Sequence, residues 1–166
     1  PLHFAAGGGH GDVVVLLLDR GASIDAADSQ NGGTPLHDAA YNGHGDMVAL
    51  LLNRAASIDS ASQDGRTVLH FAAEGGHHNV VALLLDRGAS IDAADQHDRI
   101  PLHFAADGGH GDVATLLLDR GASIYAADQH DRTPMHLAAL RGHGDVVALL
   151  LDRGANIDAA DQDRAT

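Results

Sequence analysis

Cysteine, tryptophan and lysine are all missing from this chain, glutamate occurs once (Glu74), and aromatic residues make up 3% of its 166 positions. Without cysteine there is no disulfide framework and no thiolate chemistry, so nothing points to a secreted, stapled domain. Long apolar runs are missing too. The longest are short stretches such as Val13–Leu18, far below the roughly 20 residues that a membrane-spanning helix needs. No basic stretch followed by an apolar core opens the chain, so no signal peptide is visible. An intracellular location, cytoplasmic or nuclear, is therefore expected. The chain starts at Pro1 without an initiator methionine and reads as a piece of something longer.

Charge of one sign is scarce. Ten arginines stand against twenty-two aspartates and one glutamate, for a formal net charge of −13. Nucleic-acid binding is driven by Lys and Arg displacing counterions from phosphates, so a surface this acidic is a poor nucleic-acid binder. Anionic membranes are disfavoured for the same reason. The thirteen histidines offset part of the charge only below about pH 6.5.

What the chain does have is a repeat. A unit opens at Pro1, Pro35, Val68, Pro101 and Pro134, dividing the chain into residues 1–34, 35–67, 68–100, 101–133 and 134–166 with nothing left over. The third and fourth copies agree at 25 of 33 positions, so a single array is expected. Each unit predicts two short helices and a protruding turn. Proline suits the first helical position, and Thr34, Thr67 or Thr133 just before it caps the start. The short first helix, such as Pro35–Asn42, stops at a glycine. The second helix has an aspartate such as Asp46 near its positive end and an arginine such as Arg54 near its negative end. Gly21, Gly88, Gly121 and Gly154 fall where a helix C-terminus favours a left-handed residue, and Ala55 takes that place in the second copy. Gly65, Asp98 and Asp131 share one finger position, and aspartate tolerates a left-handed conformation better than most residues. Val68 in place of proline and Ile100 in place of threonine are expected to leave two helix starts more frayed. One extra residue, within Ser29–Gly33, should make the first finger bulge.

Thr34-Pro35-Leu36-His37-Asp38-Ala39 and Thr133-Pro134-Met135-His136-Leu137-Ala138, followed by Leu-Leu-Leu and Gly-Ala-Ser-Ile stretches such as Leu116–Leu118 and Gly121–Ile124, resemble the ankyrin repeat family over the whole chain. The resemblance implies an all-α fold, a solenoid of stacked helix-turn-helix units with protruding β-turn fingers. A unit of this size cannot bury its apolar face alone, so its stability comes from its neighbours. Five units at the roughly 8–10 Å between packed helices make a slab about 40–50 Å long. The paired alanines that recur in every copy, as Ala39-Ala40, let helices approach closely, and the core reads as alanine, valine and leucine. Both terminal copies keep their apolar second helices, where free-standing arrays carry a polar outer face. The ends are therefore expected to be sticky, with end-to-end self-association as a possible outcome.

Thirteen histidines beside so many aspartates invite a metal or acid–base reading, and it fails on spacing. His3, His37, His70, His103 and His136 occupy the signature position, where the resemblance implies bonds to backbone near the helix start. His10, His44, His77, His110 and His143 follow the interhelical glycine and should bond loop backbone. His97 and His130 sit one finger apart, too far to share a zinc ion unaided. The aspartates Asp28, Asp95, Asp128 and Asp161 lack the clustered spacing of a calcium loop, and suit turn capping. Asp19-Arg20 and its equivalents read as exposed pairs of small energetic weight. No nucleophile elbow and no phosphate loop appear, so the expectation is a protein that is not an enzyme, with no metal and no cofactor.

Recognition is expected where the copies disagree. The resemblance places partner contacts on the finger tips and the exposed face of the first helix, which together form a concave surface. Carried to this sequence, that surface comprises Tyr41, Arg66, Phe71, Glu74, His97, Arg99, Phe104, Asp107, Tyr125, His130, Arg132, Leu140 and Arg141. Aromatic and arginine side chains dominate the energetics of protein interfaces, and all five aromatics fall on a first helix or a finger. Phe71 and Phe104 also suit simple packing between neighbouring first helices. The function expected is a non-catalytic protein–protein interaction module whose partner has a basic surface, given the acidic field. The alternative is a structural spacer, or a self-stacking solenoid that works through its ends.

Overall fold

The computed structural model describes residues 1–162, so the last four residues of the fifth repeat lie outside the described residues. Each repeat contributes two α-helices. The first helices are α1 (Leu2–Gly7), α3 (Pro35–Tyr41), α5 (Val68–Glu74), α7 (Pro101–Asp107) and α9 (Pro134–Arg141). The second helices are α2 (Gly11–Asp19), α4 (Gly45–Asn53), α6 (His78–Asp86), α8 (Gly111–Asp119) and α10 (Gly144–Asp152). No strand forms among the described residues, and the fingers carry a lone antiparallel bridge between Ala61 and Thr67. First helices pack on first helices from α1 to α9, and second on second from α4 to α10.

The alternation along a second helix makes this stacking possible. In Val80-Val81 both side chains are buried. Leu51, Leu84 and Leu117 fill the centre of each pair at zero exposure, and the paired alanines of the middle repeats are equally closed. Alanine at these points lets first helices meet without an intervening side chain.

The starts of the first helices are fastened by histidine. Thr34 and Thr67 cap their helices, and the backbone N–H of each donates to Nδ1 of His37 or His70 at 3.0 Å. A nitrogen that accepts is bare, so the other carries the proton. Nε2–H then donates to a finger carbonyl, from His37 to Arg66 at 3.2 Å and from His70 to Arg99 at 2.9 Å. His3, His103 and His136 reach Gly33, Arg132 and Ala159 in the same way. Val68 and Ile100 do not shift the helix starts. Ile100 has no hydroxyl to offer, yet its N–H still meets His103 Nδ1 at 3.2 Å, and the side chain is buried. The second histidine set stitches backward, since Nε2 of His44, His77, His110 and His143 donates to the carbonyls of Gly7, Tyr41, Glu74 and Asp107 at 2.8–3.0 Å. This stitching explains the interhelical glycine. A Cβ on Gly76 would come 2.5 Å from His110 Nδ1.

The left-handed positions fall where the spacing places them, with Ala55 at φ 66° and Gly88 at φ 88°. Asp98 and Asp131 adopt φ 61° and 59°. An L-residue in this region costs about 1–2 kcal/mol, partly offset by the greater freedom glycine loses on folding. A Cβ at the equivalent Gly21, Gly88 and Gly121 meets nothing within 4 Å, so Ala55 gains no packing that offsets its strain. Ala55→Gly is therefore expected to stabilise the protein by about 0.5–1 kcal/mol, raising the midpoint of thermal unfolding by a few degrees.

Candidate functional site

The fingers of the second, third and fourth repeats end on an arginine, Arg66, Arg99 and Arg132. How each arginine lies is decided four residues earlier. Asp95 is buried and accepts the backbone N–H groups of His97 and Arg99 on Oδ1, at 2.8 and 2.9 Å. Its Oδ2 accepts Arg99 Nε and Nη2, at 3.0 and 2.7 Å. Asp128 repeats both arrangements with His130 and Arg132. Burial pushes both carboxyls up, but the bonds from arginine and from the turn amides outweigh it and hold them below the ordinary aspartate range. Asp28 accepts the N–H groups of Asn31, Gln30 and Gly32, and these bonds keep its pKa low as well. At Asp28, Asp95 and Asp128 the turn capping expected from the aspartate ladder is thus what the structure holds, while the turn after Asp161 lies outside the described residues. The ladder also aims two arginines, a role the spacing left unread.

The second repeat breaks this pattern. Ser62 stands where the carboxylate would be, and its hydroxyl donates to Asp64 Oδ1 at 2.6 Å. Arg66, released from its own turn, reaches Glu74 instead. Its guanidinium carbon lies 4.3 Å from the centre of the Phe71 ring and 4.5 Å from that of Phe104, while Arg99 covers Phe104 at 4.5 Å. The sequence Phe71, Arg66, Phe104, Arg99 is therefore a run of alternating rings and cations. Tyr41 extends it by an edge contact with Phe71 at 6.3 Å. Arg66 Nε is buried with no hydrogen-bond partner.

Beside this run lies a small groove of about 180 Å³, lined by Glu74, Arg99, His103, Phe104, Asp107, Arg132, Leu137, Leu140 and Arg141. Arg141 Nε donates to Asp107 at 2.9 Å from one repeat to the next. Of the residues proposed from sequence, Tyr41, Arg66, Phe71, Glu74, Arg99, Phe104, Asp107, Arg132, Leu140 and Arg141 are thus gathered in or beside one groove. His97 and His130 sit on exposed finger tips outside it. The backbone there is continuous, with Gln129 N–H donating to the His97 carbonyl at 3.0 Å. Tyr125 is not brought to the groove. It stands in the loop after α8, and its hydroxyl donates to the Gly154 carbonyl at 3.0 Å. Phe104 is largely covered, with 8% of its surface exposed, whereas Leu140 is 69% exposed.

Among the described residues no three histidine, aspartate or glutamate side chains converge to hold a metal. The buried histidines are tuned the other way from a general base. Burial pulls His37 and His70 down to about 4 and lowers His103, keeping Nδ1 bare for the helix-start bond. A histidine held neutral in the fold stabilises it fully above its unfolded value of about 6.5, and that stabilisation is lost as pH falls toward 4. The lowered aspartates act only below about 3.8, outside this window. Denaturant unfolding is expected to show stability constant from pH 8 to 7 and lower by about 2 kcal/mol at pH 5 for each of His37 and His70. A profile flat down to pH 4.5 contradicts the assignment.

The family model for ankyrin repeats matches in three overlapping copies, over residues 1–62, 55–128 and 95–161. A search of curated proteins finds no significant match. Among the described residues no helix is long and apolar enough to cross a membrane.

Proposed function

This chain belongs to the ankyrin repeat family, whose members are generally protein–protein interaction modules and typically non-catalytic, and on that premise we propose that it docks a partner protein in the groove between its finger ends and first helices. The observation that supports the reading is the gathering of charged and apolar side chains from neighbouring repeats. Arg99, Arg132, Leu140 and Arg141 line one groove with Glu74 and Asp107, although they come from three repeats. A partner residue entering there meets apolar carbon from Leu140 and the rim of Phe104, flanked by charges of both signs. The chain as a whole carries a formal charge of −13, so its field attracts and orients a basic partner surface. Glu74 and Asp107 are partly exposed, and their free edges are available to lysine or arginine from that partner. The partner is a protein with a basic surface, met where the ankyrin repeats of other chains meet theirs.

Selection from a random displayed-peptide library against residues 1–166 is expected to enrich peptides that carry lysine or arginine next to an aliphatic or aromatic residue. The selected peptides should lose about tenfold or more in affinity for Leu140→Ala combined with Arg141→Ala, with the circular dichroism of the protein unchanged. Enriched peptides that bind this double variant as well as the unaltered chain would place recognition elsewhere. A spacer without a face-bound partner is the competing reading, favoured by the near identity of the third and fourth repeats, which agree at 25 of 33 positions. Failure to enrich any peptide selects it.

A further inference from the structure

Of the arginines that end the fingers, Arg99 and Arg132 are tied by their own turns and Arg66 is not. Nε of Arg99 donates to Asp95, and Nε of Arg132 to Asp128, at 3.0 and 2.9 Å. Arg66 has Ser62 at the corresponding place, and its Nε is buried without an acceptor. A donor left unmet in the interior weakens the hold on its own side chain. The backbone of Arg66 is nonetheless fixed, since its carbonyl accepts Nε2–H of His37 at 3.2 Å and the N–H of Ser62 at 3.0 Å. The side chain is held by the Phe71 and Phe104 rings and by Glu74.

The rings are braced by other groups. Phe71 meets the His37 imidazole edge to face, with centres 5.0 Å apart and planes at 80°. Phe104 meets His70 in the same way, at 5.3 Å and 88°. Both imidazoles are hydrogen-bonded through both nitrogens, so the rings lean on groups that are themselves immobile. Two ring faces within 4.5 Å of one guanidinium carbon, with a carboxylate beside them, form a receptor for a planar cation. All of its parts belong to the second, third and fourth repeats, inside the array.

We propose that Phe71, Phe104 and Glu74 are a binding site for an arginine side chain of the partner, that Arg66 fills this site in the free chain, and that the partner's arginine displaces it. The inference rests on the docking function proposed above and narrows it from a basic partner to one that inserts arginine. A guanidinium stacks flat on the rings and offers a planar fork to the carboxylate, and an ammonium does neither. The exchange replaces one cation by another, so the charge balance of the site is unchanged. Arg66, once displaced, brings its Nε out of the interior to water. Because the site is competent only in the molecules from which Arg66 has left, its apparent affinity is reduced by that fraction. Isolated cations are thereby refused, and a partner that also makes contacts along the groove is admitted. Ser62 is what leaves the latch free to open. A carboxylate there, as at Asp95 and Asp128, supplies the acceptor that Nε lacks and holds Arg66 in place.

The test is a titration of the full chain with N-acetylargininamide, followed by NMR at the ring resonances of Phe71 and Phe104. Arg66→Ala opens the site, and Gly33 at the same place in the first finger shows that a small residue suits this turn. This variant is expected to bind the probe about tenfold or more tightly than the unaltered chain. N-acetyllysinamide is expected to bind it about threefold or more weakly than the arginine probe does. Arg66→Lys, which keeps an aliphatic stem over the rings and so protects the fold, is expected to show a smaller gain. Ser62→Asp is expected to bind the probe more weakly than the unaltered chain. The proposal is overturned if Arg66→Ala and Arg66→Lys bind the probe no better than the unaltered chain, if lysine binds as well as arginine, or if Ser62→Asp strengthens binding. The docking reading fails separately. Groove-binding peptides indifferent to Arg66→Ala overturn the arginine site alone, whereas probe binding by Arg66→Ala without any enriched peptide overturns the docking reading alone.

Discussion

A helix pair of this length has too little apolar surface to be stable by itself, and this shortage organises the rest of the molecule. Each inner second helix buries two successive apolar residues, Met47-Val48, Val80-Val81 and Val113-Ala114, so neither repeat owns its core. The histidines convert this dependence into register. His70 joins the start of α5 to the carbonyl of Arg99 at the end of its own finger, while His77 reaches back to Tyr41 in the preceding repeat. One set of imidazoles thus fixes the finger relative to the helix pair, and the other fixes the pair relative to its neighbour. Hydrophobic contact alone permits sliding, and directional bonds between buried groups do not.

A surface that differs from repeat to repeat has to be made without disturbing this frame, and the fingers show how. The exchange of an aspartate for Ser62 leaves the turn intact, because the Ser62 N–H still donates to the Arg66 carbonyl and the Gly65 N–H to the Ser62 carbonyl, both at 3.0 Å. It frees the arginine. Arg66 then lies across two rings and meets Glu74, whereas Arg99 and Arg132 remain tied to Asp95 and Asp128. Tyr125 is a second local departure. It replaces the aspartate of the loop ladder at the junction of the fourth and fifth repeats, and its hydroxyl supplies a bond to Gly154 in place of the missing carboxylate contact.

The helices, the left-handed turns and the structural use of most histidines were legible in the sequence, because each role recurs with the period and is carried by residue types with strong backbone preferences. Thr34-Pro35 at a helix start and Gly88 at a helix end leave little choice of conformation. Features that depend on a partner one repeat away were less legible. Asp19 and Arg20 are adjacent in the chain and look like a pair, but Asp19 bonds Arg54. The grouping of Arg66 with Phe104 could not be read from either residue alone, since its cause is the missing carboxylate at Ser62. The gap in the series Asp28, Asp95, Asp128, Asp161 was the available signal. The position of Tyr125 was misleading for a related reason, because finger and loop are continuous in sequence and face different ways in space.

The backward histidine bonds that recur from joint to joint also make repeat number a separable property of the chain. Excision of residues 68–100 would bring Thr67 directly before Pro101, recreating the threonine–proline start found at Thr34-Pro35 and Thr133-Pro134. Phe104 would inherit the place of Phe71 under Arg66, and Asp107 the place of Glu74 as its counter-ion. Loss or duplication of a whole unit therefore changes the span of the molecule while conserving the chemistry at the seam, which lets such an array lengthen or shorten by recombination without passing through a broken intermediate.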